Sequence, residues 1–310
     1  MPIDEAEARR LLEERAKCRS AKDFAAADDL RDRLRSGGWE VVDTPEGSEL
    51  RELELPPPPR ALTMLTIVHG WRADAERWLG GVLSQTTDHD FEAVLVDNSG
   101  DPAIARWLAG CSGERVRKLT LAPPLGWAEA ANRGLEAAAG EVVTLFDPGI
   151  ELTGDAARPL LLGLGDPQVV CVGAFGVRCE GSVGHFHSHP GPEVDAVEGY
   201  VLAMRRAQAL EVGGFDRRFR FYRLADFELC FRLRDRYRGR TLVVPGLPVV
   251  RHEHRLWEDL DQEERDRLSR RNFYRFMDRW GKREDLMIEG GTAVQGRAGP
   301  RAHNRENADD

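Results

Sequence analysis

Asp97, Asp147 and Asp226 carry the chemistry that this sequence offers most plainly. Asp97 closes the apolar run Ala93–Val96, and Asp147 closes Val142–Phe146. Asp226 instead opens an amphipathic segment, Asp226–Tyr237. An ionised carboxylate only accepts hydrogen bonds, so it can receive an N–H, hold a hard cation or take a proton from a hydroxyl. At a helix N-terminus it also meets a favourable dipole, and burial would raise its pKa towards neutrality. Other groupings are weaker. His185, His187 and His189 alternate within a Gly-, His- and Pro-rich stretch with no acidic partner, read as a flexible loop. The five cysteines are an odd number without a C-x-x-C pair. That excludes a four-cysteine zinc site and a simple disulfide scaffold, and it fits a reducing cytosol. Cys230 reads as a packing residue.

Strands and helices must hold those carboxylates in place. From Ala61 the pattern alternates: Leu65–Val68, Ala93–Val96, Arg117–Leu121 and Val142–Phe146 read as strands. Ala75–Ser84, Ala103–Ala109 and Ala128–Ala139 read as the helices between them. Such alternation predicts a mainly parallel sheet with helices on both faces. Ligands then sit beyond the carboxyl ends of the strands, where Asp97 and Asp147 fall. Further on, helices are expected over Ala156–Leu164, Ala207–Val212, Asp226–Tyr237 and Gln262–Trp280. Strands are expected over Val169–Val172, Phe175–Arg178, Gly199–Met204, Thr241–Val244 and Val249–His252, with Gly181–Pro192 a loop.

The 310 residues carry a net charge of −9, which argues against general nucleic-acid binding. The charge is uneven. Arg205 to Arg283 hold 21 basic and 13 acidic residues, or +8, so the remainder carries −17. A basic C-terminal third points to an anionic ligand or to a solvated helix surface, and charge alone does not choose. The polar start MPIDEAEARR is no secretory signal, and no apolar run reaches the roughly 20 residues of a membrane helix.

Several segments together resemble family 2 glycosyltransferases. V-L-V-D-N-S-G-D (94–101) resembles the family's strand-end motif, and L-G-W-A-E-A-A-N-R-G (125–134) its helix entry. V-T-L-F-D-P-G-I-E-L (143–152) stands where the family has D-x-D, with Asp147 kept and Gly149 in the last acidic place. G-G-F-D-R-R-F-R-F-Y-R-L-A-D-F-E-L-C-F-R (213–232) is the most specific match, with Ala225 where the family has Glu. V-V-R-H-E-H (249–254) is similar to the family's late strand ending in His.

The resemblance implies an α/β GT-A fold and an inverting transfer from a UDP- or dTDP-sugar to a hydroxyl acceptor. Members of rhamnosyltransferase type point to a cell-surface or lipid-linked glycan. It assigns Asp226 as general base. It places Asp97, Asn98, Gly126 and Asn132 at the nucleotide, and Gly199, Glu228 and Arg232 at the acceptor. Asp147 and His252 would hold Mg²⁺ or Mn²⁺, with His254 the weaker candidate and Glu151 a poorly placed substitute. The losses at Gly149 and Ala225 leave a degenerate binding protein of the same fold as an alternative.

Residues 11–48 resemble the C-terminal helical module of cysteinyl-tRNA synthetases. This raises tRNA as a partner and an RNA-directed transferase as a further alternative. Yet residues 1–52 hold 14 acidic and 10 basic side chains, which gives little attraction for phosphate. The expected plan is a helical module over 1–50, a proline-rich spacer over 51–61, a GT-A domain over 62–285 and a disordered tail over 286–310. The expected location is cytoplasmic, with the inner membrane face as an alternative.

Overall fold

Central strands of the main sheet are buried along their whole length, as the computed structural model shows for a chain described over residues 5–36, 39–44, 47–52 and 62–288. The described residues fall into two compact units, within 1–59 and 60–310. Most of the expected spacer (53–61) and tail (289–310) lie outside the described residues.

In the smaller unit, helices α1 (Glu5–Ser20) and α2 (Phe24–Ser36) precede a hairpin of β1 (Trp39–Thr44) and β2 (Gly47–Glu52). Asp23 starts α2 by accepting the Ala26 N–H at 3.1 Å. Ala8, Leu11, Leu30 and Leu34 form its core.

The larger unit opens with β3 (Leu62–Val68), α3 (Arg72–Gln85), β4 (Phe91–Asp97), α4 (Pro102–Gly110), β5 (Val116–Thr120), α5 (Trp127–Ala137) and β6 (Val142–Phe146). Then follow β7 (Ile150–Leu152), α6 (Ala157–Leu164), β8 (Val169–Gly173), β9 (Gly176–Glu180), β10 (Ser182–Ser188), β11 (Glu193–Val194) and β12 (Ala196–Val197). The last elements include β13 (Val201–Arg205), α7 (Arg206–Glu211), α8 (Ala225–Tyr237), β14 (Arg240–Val243), β15 (Val249–Arg251), α9 (Arg255–Glu258) and α10 (Gln262–Trp280).

Eight strands make one sheet in the order β11-β14-β8-β13-β6-β3-β4-β5. The run β6-β3-β4-β5 is parallel, as is β14 with β8, whereas β13 runs antiparallel to both β6 and β8. Along β3, Leu62, Met64 and Val68 pack to one face with Trp78, and Leu65 and Ile67 to the other with Leu135. Both faces of the strand are therefore buried, as covering helices require.

One expectation is overturned. Gly181–Pro192 is not simply a loop, because Ser182–Ser188 forms β10, antiparallel to β9. A register shift between Ser182 and Phe186 breaks the two-residue alternation that would have announced a strand. Phe186 packs edge-on against Phe227 and Phe276, which anchors the strand. His187 also has an acidic partner, Glu180, at 3.1 Å.

Candidate active site

Five chain segments deliver side chains to one pocket. His69 follows β3, Asp147 follows β6, Gly199 and Tyr200 precede β13, Asp226 sits in the first turn of α8, and His254 follows β15. Because β13 runs against its neighbours, its start pairs with the end of β6, whose other side pairs with the end of β3. The pocket is narrow, with a volume of ≈ 40 Å³. Tyr222 stacks on His254 at 4.3 Å between ring centroids, and Tyr200 meets it at 5.4 Å.

Asp226 is held by two backbone donors. Gly199 N–H donates to its Oδ2 at 2.6 Å, and Phe227 N–H to its Oδ1 at 2.9 Å. Burial pushes its pKa up to about 6, and those N–H groups oppose the rise. Asp147 behaves similarly. Burial pushes it up to about 6, while the Gly149 N–H, donated to Oδ1 at 2.8 Å, pulls the other way. His254 Nε2 approaches Asp147 Oδ2 at 3.4 Å. Burial, reinforced by Arg251 and Arg223, holds His254 down at about 4. The pair is thus a carboxylate beside a neutral imidazole, not an ion pair, at neutral pH. His69 is also held near 4, by burial and then by His254. Its Nε2 is buried without a hydrogen-bond partner among the described residues.

A second, larger cavity of ≈ 660 Å³ shares Asp226, Tyr200 and Tyr222 with the pocket and adds Glu198 and Arg223. Burial, and then the charge of Asp226, pushes Glu198 up to about 7. Sequence reasoning missed Glu198 and His69. His69 follows an apolar run just as Asp97 does, and that signal was readable. Glu198 is a lone acid between short apolar stretches, and only the fold brings it to Asp226.

The remaining expected residues are placed elsewhere. Asp97, buried, accepts from Ser99 Oγ at 2.6 Å and from Ser99 N–H at 3.1 Å. Asn98 ties the β4 end to Leu125, donating to its carbonyl at 3.0 Å and accepting its N–H at 2.7 Å. Gly126 caps α5, packed so closely on Arg220 that a Cβ would stand 3.1 Å from Arg220 Cγ. Asn132 is fully engaged with the Phe215 backbone, donating at 2.8 Å and accepting at 2.7 Å. Gly214 must be glycine: its φ is +68°, and a Cβ would fall 2.3 Å from Asn132 Oδ1. Glu228 is buried between Arg232 and Arg279 (3.0 Å), and Arg232 also donates to the Val212 carbonyl at 2.6 Å. This cluster ties α8 to α10 and to the turn after α7, and it lines neither cavity. His252 sits 2.7 Å from Glu151, not beside Asp147. The strand ends at Arg251 and His252 N–H donates to the Gly149 carbonyl, so the chain turns and His254 reaches the pocket instead.

Gly149 has a steric cause. A Cβ there would stand 2.7 Å from the Glu253 carbonyl oxygen and 2.9 Å from Asp147 Oδ1. Among the described residues no three His, Cys, Asp or Glu side chains converge as a metal cage. Asp147 and His254 remain as an oxygen and a nitrogen donor. That pair fits a divalent ion only when substrate phosphates and water supply the other ligands.

No helix among the described residues is long and apolar enough to cross a membrane. In fold, the chain is similar to GalNAc-T7 solved with UDP, GalNAc and Mn²⁺, at 17% identity over 79% of this chain and 52% of that one, TM-score 0.58. It is also similar to the mannosyltransferase PcManGT from Pyrobaculum calidifontis in complex with GDP-Man and Mn²⁺, at 19% identity over 78% and 67% of the chains, TM-score 0.48. A short segment is 55% identical over 42 residues to cysteine--tRNA ligase 1 from Burkholderia lata. It covers 14% of this chain and 9% of that protein. A similar ligase from Nitratidesulfovibrio vulgaris matches at 54% over 46 residues, 15% of this chain and 10% of its own. The mixed sheet with helices on both faces is the GT-A architecture. Residues 72–231, just over half of the chain, match the family model described as Glycosyl transferase family 2, and the chain belongs to that family.

Proposed function

We propose that this chain is an inverting glycosyltransferase that moves a sugar from a UDP- or dTDP-sugar to a hydroxyl acceptor by one in-line displacement. The observation that carries the reading is the placement of Asp147 and Asp226, from separate elements, around one pocket. Asp226, at about 6, is ionised at neutral pH yet basic enough to take the acceptor's proton. Gly199 and Phe227 fix the direction of its lone pairs. Asp97 would receive the N–H of the nucleobase. The cavity on the Glu198 side of Asp226 would receive the acceptor, with a glycan or lipid-linked hydroxyl as the class expected.

GalNAc-T7 was solved with UDP and Mn²⁺, which supports a UDP-type donor and a divalent ion here. When bound, that ion would offset the charge growing on the departing diphosphate. Asp147 and His254 would hold it. The smaller unit, net acidic, reads as a helical add-on for docking.

One observation favours a second reading, a binding protein without turnover: the steric block at Gly149 leaves a sparse ligand set. The test is nucleoside diphosphate release from a panel of sugar nucleotides with Mn²⁺. Release by wild type, lost in Asp226→Asn, with the sugar first freed in the inverted anomeric form by NMR, supports transfer. Tight binding of a sugar nucleotide with no release supports the second reading.

A further inference from the structure

The basic helix α10 lines the larger cavity and carries polar side-chain atoms that have no partner among the described residues. Between Gln262 and Trp280 it has six arginines and four acidic residues. Arg270 lines the ≈ 660 Å³ cavity and also an adjoining one of ≈ 490 Å³, where Arg267 and Arg271 join it. Arg267 is committed to Glu264. The Arg270 side chain has no ion pair or hydrogen bond among the described residues. Arg271 Nε is buried without a partner among the described residues, and so is the Ser269 hydroxyl in the cavity wall. Burial and the nearby Arg275, Arg267 and Arg220 all hold the Arg271 guanidinium below its usual range. Such a concentration of like charge is relieved by an anion, and a guanidinium fork suits phosphate oxygens.

The lining that Arg270 and Asp226 share also has an apolar part, made of Val177, Phe186, Phe227 and Phe273. The two linings together hold four arginines (Arg223, Arg267, Arg270, Arg271) and four acids (Glu198, Asp226, Glu263, Asp266), so the excess of positive charge is local to Arg271 and its arginine neighbours. Of these two cavities, Glu198 and Asp226 line only the larger one. Asp266 accepts from Gln262 at 3.0 Å, and Glu263 is exposed. A space of this size is in the range that holds a small molecule, at roughly 300–1,000 Å³.

We propose that the double cavity along α10 binds an amphiphilic acceptor, with a phosphate-class anion on Arg270 and Arg271, an apolar group against Phe273, and the reacting hydroxyl at Asp226. Only the last clause rests on the transferase reading. Phosphate on a lipid headgroup and phosphate on a soluble molecule share this chemistry.

The test is calorimetric titration of the full chain with hexyl phosphate, inorganic phosphate and hexanol, without metal. Hexyl phosphate should bind at least about tenfold more tightly than either fragment. Arg270→Ala/Arg271→Ala should weaken it by at least about tenfold, and Arg270→Ala alone, at an exposed position, by less. Phe273→Ala should erase the preference for hexyl phosphate over inorganic phosphate. Sedimentation with vesicles doped with phosphatidylglycerol separates the sources. Arg-dependent co-sedimentation identifies a lipid headgroup, and its absence alongside hexyl phosphate binding identifies a soluble phosphate ester. Hexyl phosphate binding no better than hexanol, or equal binding by the folded double variant, overturns the proposal. Asp147→Ala should bind hexyl phosphate like wild type, so a failed donor site cannot be mistaken for a failed acceptor cavity.

Discussion

Gly199 N–H donates to Asp226 Oδ2 at 2.6 Å, so this carboxylate is oriented by the residue next to Glu198. Any side chain at 199 would crowd it, because a Cβ there would lie 3.1 Å from the same oxygen. One short segment before β13 thus both aims the Asp226 carboxylate and places a second carboxyl in its cavity.

Asp226→Asn keeps the shape and removes the base. Its activity should fall roughly 10²–10⁴-fold, the usual contribution of a positioned proton acceptor. The folded-state pKa of Asp226 is raised, so its ionisation weakens folding as pH rises through about 4 to 6. The variant should therefore melt no lower than wild type at pH 8, which thermal unfolding would show. A large loss of stability there would mean that the carboxylate is structural.

Glu198 and Asp226 repel one another, and burial and that repulsion place Glu198 at about 7. The acid limb of the rate profile should report the ionisation of Asp226 near 6. Glu198, at about 7, is still mostly protonated while Asp226 ionises near 6, so Glu198→Gln should leave the acid limb in place. A limb moved to lower pH in a folded, active variant would show that Glu198 already carries charge as Asp226 titrates.

Restoring an acid at 149 should fail. Gly149→Asp drives a Cβ into the Glu253 carbonyl and adds a charge beside Asp147. The cost expected is about 1–3 kcal/mol. A melting temperature unchanged or raised, with tighter Mn²⁺ binding, would show that the Glu253 segment yields freely.

Asn132→Ala tests a residue that the structure uses as a brace. It orphans the buried N–H and carbonyl of Phe215, at about 1–3 kcal/mol for a lost partner. For a unit of this size that is a fall of roughly 2–4 °C per kcal/mol. Nucleoside diphosphate affinity, measured well below the melting point, should stay within about twofold.

Much of this was readable in advance, for local reasons. Asp147 ends an apolar run and Asp226 begins an amphipathic one, and those two signals lead to one pocket. The parallel core was announced by alternating runs, whereas β10 was hidden because a bulge erased its period. His252 and His254 could not be separated by spacing, since the outcome depends on where β15 stops pairing with β7. Glu228 and Arg232 sit in the most specific motif, yet their partners are Arg279 on α10 and the Val212 carbonyl in the turn after α7, contacts that tertiary packing alone supplies. Asn132 likewise answers to Phe215, far along the chain.

The most direct test of the central claim is calorimetric titration with UDP, dTDP and GDP, each with and without Mn²⁺, on wild type and Asp147→Ala. The account predicts that UDP or dTDP binds, that Mn²⁺ strengthens it, and that Asp147→Ala loses at least about tenfold in affinity. Failure of all three diphosphates to bind folded wild type, with metal present, would contradict it.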